Sequence, residues 1–163
     1  MPKTLDIKAE PGSPLIEMRY TFDAPRDLVF KAHTERESIS QWWGPASLTT
    51  TVVTFEPRAG GQWRFVQRDA DGNEYGFHGV YHDVVAPERL VYTFEFEGMP
   101  GHVLLETLTF EERDGRTTLI DRSAFTSVED RDGMMEAGME SGANESMERL
   151  AALLQRMRQG APA

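Results

Sequence analysis

The chain has 163 residues, with 27 acidic against 17 basic side chains for a formal charge of −10, and it contains no cysteine. A chain of this length builds one core and hardly two; lacking cysteine, it forms no disulfide and offers neither a thiolate nucleophile nor cysteine ligands for zinc or iron–sulfur groups. The acidity argues against a nucleic-acid partner, whose phosphates need clustered Lys and Arg. No run of about 18 apolar residues and no secretory pattern at Met1–Asp6 is present, so a cytoplasmic protein with no membrane partner is expected.

Residues 1–14 are polar and carry Pro2, Pro11, Gly12 and Pro14, which reads as a flexible leader that pairs at most weakly at its end. From Leu15, Ile16, Met18, Tyr20 and Phe22 alternate with polar residues, the period of a half-buried strand. Asp23-Ala24-Pro25 then reads as a helix cap and first turn, with Leu28, Val29 and Ala32 as the apolar stripe. A second short helix is expected over Glu35–Gln41. Six strands follow, at Thr49–Glu56, Gln62–Asp69, Asn73–Val85, Arg89–Glu97, His102–Glu112 and Thr117–Thr126. Their short, turn-rich connections predict an antiparallel meander. Ser127 followed by Asp130 marks a helix start, and Met135, Met139, Ala143, Met147, Leu150, Leu154 and Met157 form one helical face. Gly133, Gly138 and Gly142 weaken that helix, implying a break near Gly138 or a face that leaves room beneath it.

These elements predict an α+β fold: a seven-stranded curved antiparallel sheet wrapped around a long C-terminal helix, with two short helices after the first strand. One domain over residues 15–158 and a disordered tail at 159–163 are expected. The order of motifs resembles the START-related and birch-pollen-allergen-like superfamily, called SRPBCC, and within it the Hsp90 ATPase activator homologue-like branch. The resemblance rests on Asp23–Phe30, Trp42-Trp43-Gly44-Pro45, Arg58–Arg64, Gly79-Val80-Tyr81, Pro87–Val91, Thr107–Phe110 and Gly138–Gly142 through Glu148-Arg149-Leu150, and spans about Ile16 to Leu154. It implies a helix-grip fold and the binding of hydrophobic ligands. The branch name also implies a chaperone partner, although the leader is too short to replace the additional domain of eukaryotic activators.

Strand alternation selects the inward residues. Leu90, Tyr92, Phe94 and Phe96 share a face, and a three-residue loop Ala70-Asp71-Gly72 puts Trp63 and Phe65 on the same face as Phe77, Gly79 and Tyr81. Leu104, Glu106, Leu108 and Phe110 face the same way, so Glu106 is a buried carboxyl in need of a partner. With a three-residue loop Arg113-Asp114-Gly115 that partner is Arg122, the arrangement expected here because a charge pair is cheaper to bury than two acids; with the loop Asp114-Gly115, Asp121 lies diagonally on the same face and Arg122 points away. Trp42-Trp43 anchors the second helix and one pocket rim, with one ring partly exposed.

His78 and His82 lie about 13 Å apart at roughly 3.3 Å per residue, too far for joint chelation, and they point outward. His33 is expected to favour the negative end of the first helix, and His102 has no evident partner. No metal or cofactor is expected, since no nucleophile elbow, phosphate loop or dinucleotide fingerprint occurs. The sequence thus reads as a non-catalytic module for a small hydrophobic or aromatic molecule. Its pocket residues would be Trp42, Trp63, Phe65, Phe77, Tyr81, Tyr92, Phe94, Leu108, Met135, Met139 and Met147, with Glu106 or Arg122 orienting the ligand. The alternatives are a chaperone-linked interaction protein and an enzyme using Glu106 as acid or base. Monomer and homodimer both remain open.

Overall fold

The computed structural model describes residues 5–160. Eight strands form one antiparallel sheet: β1 (Asp6–Lys8), β2 (Leu15–Phe22), β3 (Thr49–Phe55), β4 (Gln62–Arg68), β5 (Glu74–Val85), β6 (Arg89–Phe96), β7 (Val103–Arg113) and β8 (Arg116–Ala124). Their spatial order is β1-β2-β8-β7-β6-β5-β4-β3. The six consecutive strands β3 to β8 make the expected meander, and β2 closes onto β8, with Leu15 opposite Ala124 and Phe22 opposite Thr117. Register shifts between Val52 and Thr54 and between Tyr81 and Asp83 are bulges, which bend a sheet and strengthen its twist.

The expected strand count of seven is corrected to eight. Asp6–Lys8 pairs with Glu17–Arg19, so part of the leader is an edge strand rather than a loose segment. Residues 1–4 of the leader and 161–163 of the expected tail lie outside the described residues.

Helices α1 (Arg26–Thr34) and α2 (Arg36–Trp42) follow β2, and α3 (Val128–Glu136) and α4 (Met139–Arg158) follow β8. Asp23 does not cap α1: the N-cap position is Pro25, and the Asp23 carboxylate accepts from Arg116 Nε at 2.7 Å. Ser127 does cap α3, its Oγ accepting from the Asp130 amide at 3.0 Å. The C-terminal helix is broken at Gly138, whose φ of +91° lies in the left-handed region that glycine tolerates best.

Leu150, Leu153 and Leu154 of α4 meet Tyr20, Phe22, Phe110 and Leu119 of the sheet and Val29 and Phe30 of α1 in one core. Each such side chain, fully buried, contributes about 2 kcal/mol of hydrophobic stabilisation. A smaller cluster of Ile16, Leu104 and Phe125 receives Met134, Met135 and Met139 from α3 and the start of α4. Large side chains therefore fill the sheet beneath the C-terminal half of α4, whereas Ala137, Gly138, Gly142 and Ala143 interleave with flexible methionines around the α3–α4 break. The space left there is the cavity.

Candidate functional site: an apolar cavity with a carboxyl pair

The cavity between sheet and helices measures about 500 Å³. Its floor comes from Phe77 of β5, Tyr92 and Phe94 of β6, Leu104, Glu106 and Leu108 of β7, and Leu119, Asp121 and Ser123 of β8. Its cover comes from Met134, Ala137, Gly138, Met139, Gly142, Ala143 and Met147, and its rim from Trp42, Trp43, Gly44 and Pro45. A Cβ added at Gly138 or Gly142 would meet nothing within 4 Å, so close packing does not require glycine at either position.

Two rows across the sheet position the polar groups. Glu106 stands directly opposite Tyr92 on one side and Ser123 on the other. Asp121 stands between Met18 of β2 and Leu108 of β7, apolar neighbours on both sides. Ser123 Oγ donates to Glu106 Oε1 at 3.3 Å, and the Tyr92 hydroxyl and Asp121 also engage Glu106. Asp121 Oδ1 is shut off from solvent and has no hydrogen-bond partner among the described residues. Burial raises the pKa of Glu106 against the hydrogen bonds it accepts; burial, then repulsion from Glu106, raises that of Asp121 well above the usual carboxylate range. Burial, reinforced by the Glu106 charge, likewise raises Tyr92. Both shifts favour the protonated forms, and a pair that shares one proton has one carboxyl able to donate and the other to accept.

The expected Glu106–Arg122 pairing is overturned. Arg113 pairs with Arg116 across a two-residue turn in which Asp114 has φ +55° and Gly115 φ +76°. Two successive positive φ values match the twist of a tight hairpin and are the reason Asp-Gly favours it. The one-residue difference turns Arg122 to the outer face, where its Nε meets Glu17 Oε1 at 3.0 Å. Asp121 takes the inward place.

Of the other expected pocket residues, Trp42, Phe77, Tyr92, Phe94, Leu108, Met139 and Met147 line the cavity with Glu106. Trp63, Phe65 and Tyr81 sit deeper, beside a void of about 40 Å³. Trp63 and Phe65 support the Trp43 ring, with centroids 6.3 and 5.0 Å from it, while Tyr81 packs against Phe55 and Tyr92. Met135 belongs to the smaller cluster, and its neighbour Met134 reaches the cavity instead. Trp42 is buried, its Nε1 donating to Ala32 O at 3.0 Å, and Trp43 is the half-exposed ring of the two.

Two histidines stand differently from their expected places. His33 does not act as an imidazolium at a helix end: it is buried, bonds Val29 O through Nδ1 at 2.8 Å, and packs against Trp42 and Phe110. Burial lowers its pKa to about 4, so a neutral ring lines the cavity. His102 has a partner after all, Asp130 Oδ1 at 2.9 Å, which ties the β6–β7 loop to α3. His78 lies on the outer face between Glu95 and Glu97, at 3.2 and 2.9 Å. Among the described residues, no group of three His, Cys, Asp or Glu side chains could hold a metal ion, and no helix is long and apolar enough to cross a membrane.

A curved antiparallel sheet gripping a C-terminal helix over an internal cavity defines a helix-grip domain. The model of the family described as "Activator of Hsp90 ATPase homolog 1-like protein" matches residues 23–155, and the chain belongs to that family. Among solved structures it is similar to a protein from Rhodobacter sphaeroides, with 25% identity, 93% of this chain and 98% of the other covered, and a TM-score of 0.86. Protein Ms6760 from Mycobacterium smegmatis shares the fold at 24% identity, with 94% and 97% covered and a TM-score of 0.84. The AHSA1 protein from Silicibacter pomeroyi shares it at 21%, with 85% and 97% covered and a TM-score of 0.69. No curated protein matches the chain.

Proposed function

We propose that this protein binds a small, largely apolar molecule between the sheet and the α3–α4 cover, oriented by Glu106 and Asp121. The observation that carries this reading is the cavity of about 500 Å³, apolar except for a few convergent polar groups, a size and composition typical of small-molecule sites. The test is a thermal-shift and Trp-fluorescence titration with naphthalene-based probes, comparing wild type with Gly142→Leu. A Cβ at this position meets nothing within 4 Å, and leucine improves helix propensity, so the variant should stay folded and, with its larger side chain at the cavity, lose binding. Equal binding by both proteins would place the ligand elsewhere.

The burial of Glu106 beside Asp121, which favours its protonated form, supports a second reading, acid–base catalysis by Glu106 on the bound molecule. It requires turnover that Glu106→Gln abolishes while binding persists. A chaperone-linked role rests on the family description alone; stimulation of Hsp90 ATPase by the purified chain would support it, and no stimulation would remove it.

A further inference from the structure

We propose that the ligand carries an ammonium group on its apolar body, and that this cation seats between Glu106 and Asp121. The inference rests on the binding reading above and adds the chemical class of the ligand.

The cavity's charge inventory is one-sided. Its lining residues include two carboxyls and no Lys or Arg. Guanidinium groups on neighbouring elements are engaged outside it: Arg122 and Arg19 with Glu17, and Arg149 with the carbonyls of Gly44 and Gln41. A fatty acid or a phosphate ester would thus bring its negative end into an apolar space beside two acids, with no cation to neutralise it. An ammonium group meets the opposite situation. It has three donors and no acceptor need, and the site supplies surplus acceptors, above all Asp121 Oδ1, buried and without a partner among the described residues.

The neighbouring groups fit the same chemistry. The Tyr92 and Ser123 hydroxyls serve Glu106, and Asp121 engages Glu106 and Ser123, which leaves Asp121 Oδ1 as the open acceptor for the incoming cation. Phe77, Phe94 and Trp43 supply ring faces for the apolar body and favourable cation–π contact near the head group. The other titratable groups facing the pair are Tyr92, Tyr20 of β2 and His33 of α1, which is neutral near pH 7. The α3–α4 cover adds no charged side chain. Charge balance then requires a proton exchange: the proton the empty pair shares leaves to solvent when the ammonium enters, and no covalent bond forms or breaks. Amine binding should strengthen with rising pH until the pair is fully ionised or the amine itself deprotonates.

Three probes with one ring system separate the possibilities: 1-naphthylmethylamine, 1-naphthalenemethanol and 1-naphthoic acid. Titration calorimetry on the full chain, in two buffers of different ionisation enthalpy, reads affinity and proton release together. The amine should bind about tenfold or more tighter than the alcohol, as a charge-assisted hydrogen bond supplies, release up to one proton, and exceed the acid by a wider margin. Asp121→Asn and Glu106→Gln, both near-isosteric, should reduce that preference while retaining alcohol binding. Alcohol or acid binding as tight as the amine, or amine binding without proton release, would overturn the ammonium assignment and leave the binding reading standing. If none of the three binds or shifts the melting temperature, both fall.

Discussion

Replacing Asp121 by Asn should stabilise the protein, by an amount that grows with pH. In the unfolded chain, Asp121 and Glu106 ionise at ordinary carboxylate values; in the folded chain both are raised by burial, and Asp121 further by repulsion from Glu106. Above the unfolded values the native state binds more protons than the unfolded state, so wild-type stability must fall as pH rises. The linkage slope is about 1.4 kcal/mol per pH unit for each proton the pair retains. Repulsion sets one part of the scale, since two unit charges about 4 Å apart at an effective dielectric of about 20 repel by about 4 kcal/mol, and burial adds to the cost of ionising both. Asn keeps the shape and removes one of the charges. Urea denaturation of both proteins from about pH 4 to pH 8 should give curves that coincide at the acid end and diverge to about 1–3 kcal/mol in favour of Asp121→Asn at the alkaline end. Taking the difference cancels other titrating groups. Parallel curves would show that the native pair is ionised like the unfolded one, and the proton-sharing site would be wrong.

Three further outcomes are expected. The His33 imidazole should titrate by NMR near pH 4, and because the unfolded ring protonates near 6.5, its burial should remove up to about 3 kcal/mol of stability as pH falls from 6.5 to about 4; an ordinary midpoint would place the ring in solvent. Glu97, held down to about 2 first by Arg64 and then by His78, should contribute stability above pH 4.5 that is lost as pH falls towards 2. Its side chain is 28% exposed and that of Arg64 41%, so Glu97→Gln should cost about 1 kcal/mol or less at neutral pH by denaturation, and a larger loss would mean a better-shielded pair. Gly79→Ala should cost about 3 kcal/mol, because a Cβ there lies 1.8 Å from Thr93 O and 2.6 Å from Trp63 Nε1 and must displace backbone on an overpacked wall; a neutral result would mean the sheet yields more easily than its packing implies.

The strands were legible because each buries one face, so period-two alternation exposes them: Trp63, Phe65 and Gln67 on β4 and Leu104, Leu108 and Phe110 on β7 are all buried in register. The break at Gly138 was legible from glycine spacing. Asp6–Lys8 was not, since three residues with one apolar side chain carry no periodicity, and their pairing depends on β2 being present as an edge. The candidate site was half legible. Alternation found Glu106, but its partner depended on one residue of turn length, and weighing the cost of burying two acids favoured the wrong register over the local preference of Asp114-Gly115. That preference is the stronger guide, because turn geometry fixes register while a buried carboxyl can keep its proton. His33 was misread because helix position says nothing of what packs against the ring, here Trp42 and Phe110 from other elements.

Native mass spectrometry of the purified full chain, with extraction and identification of any retained small molecule, tests the central claim most directly. A stoichiometric apolar adduct bearing an amine, present in wild type and absent from folded Gly142→Leu, is the expected result. An adduct retained equally by Gly142→Leu, or a bare chain that none of the naphthyl probes stabilises, would contradict it.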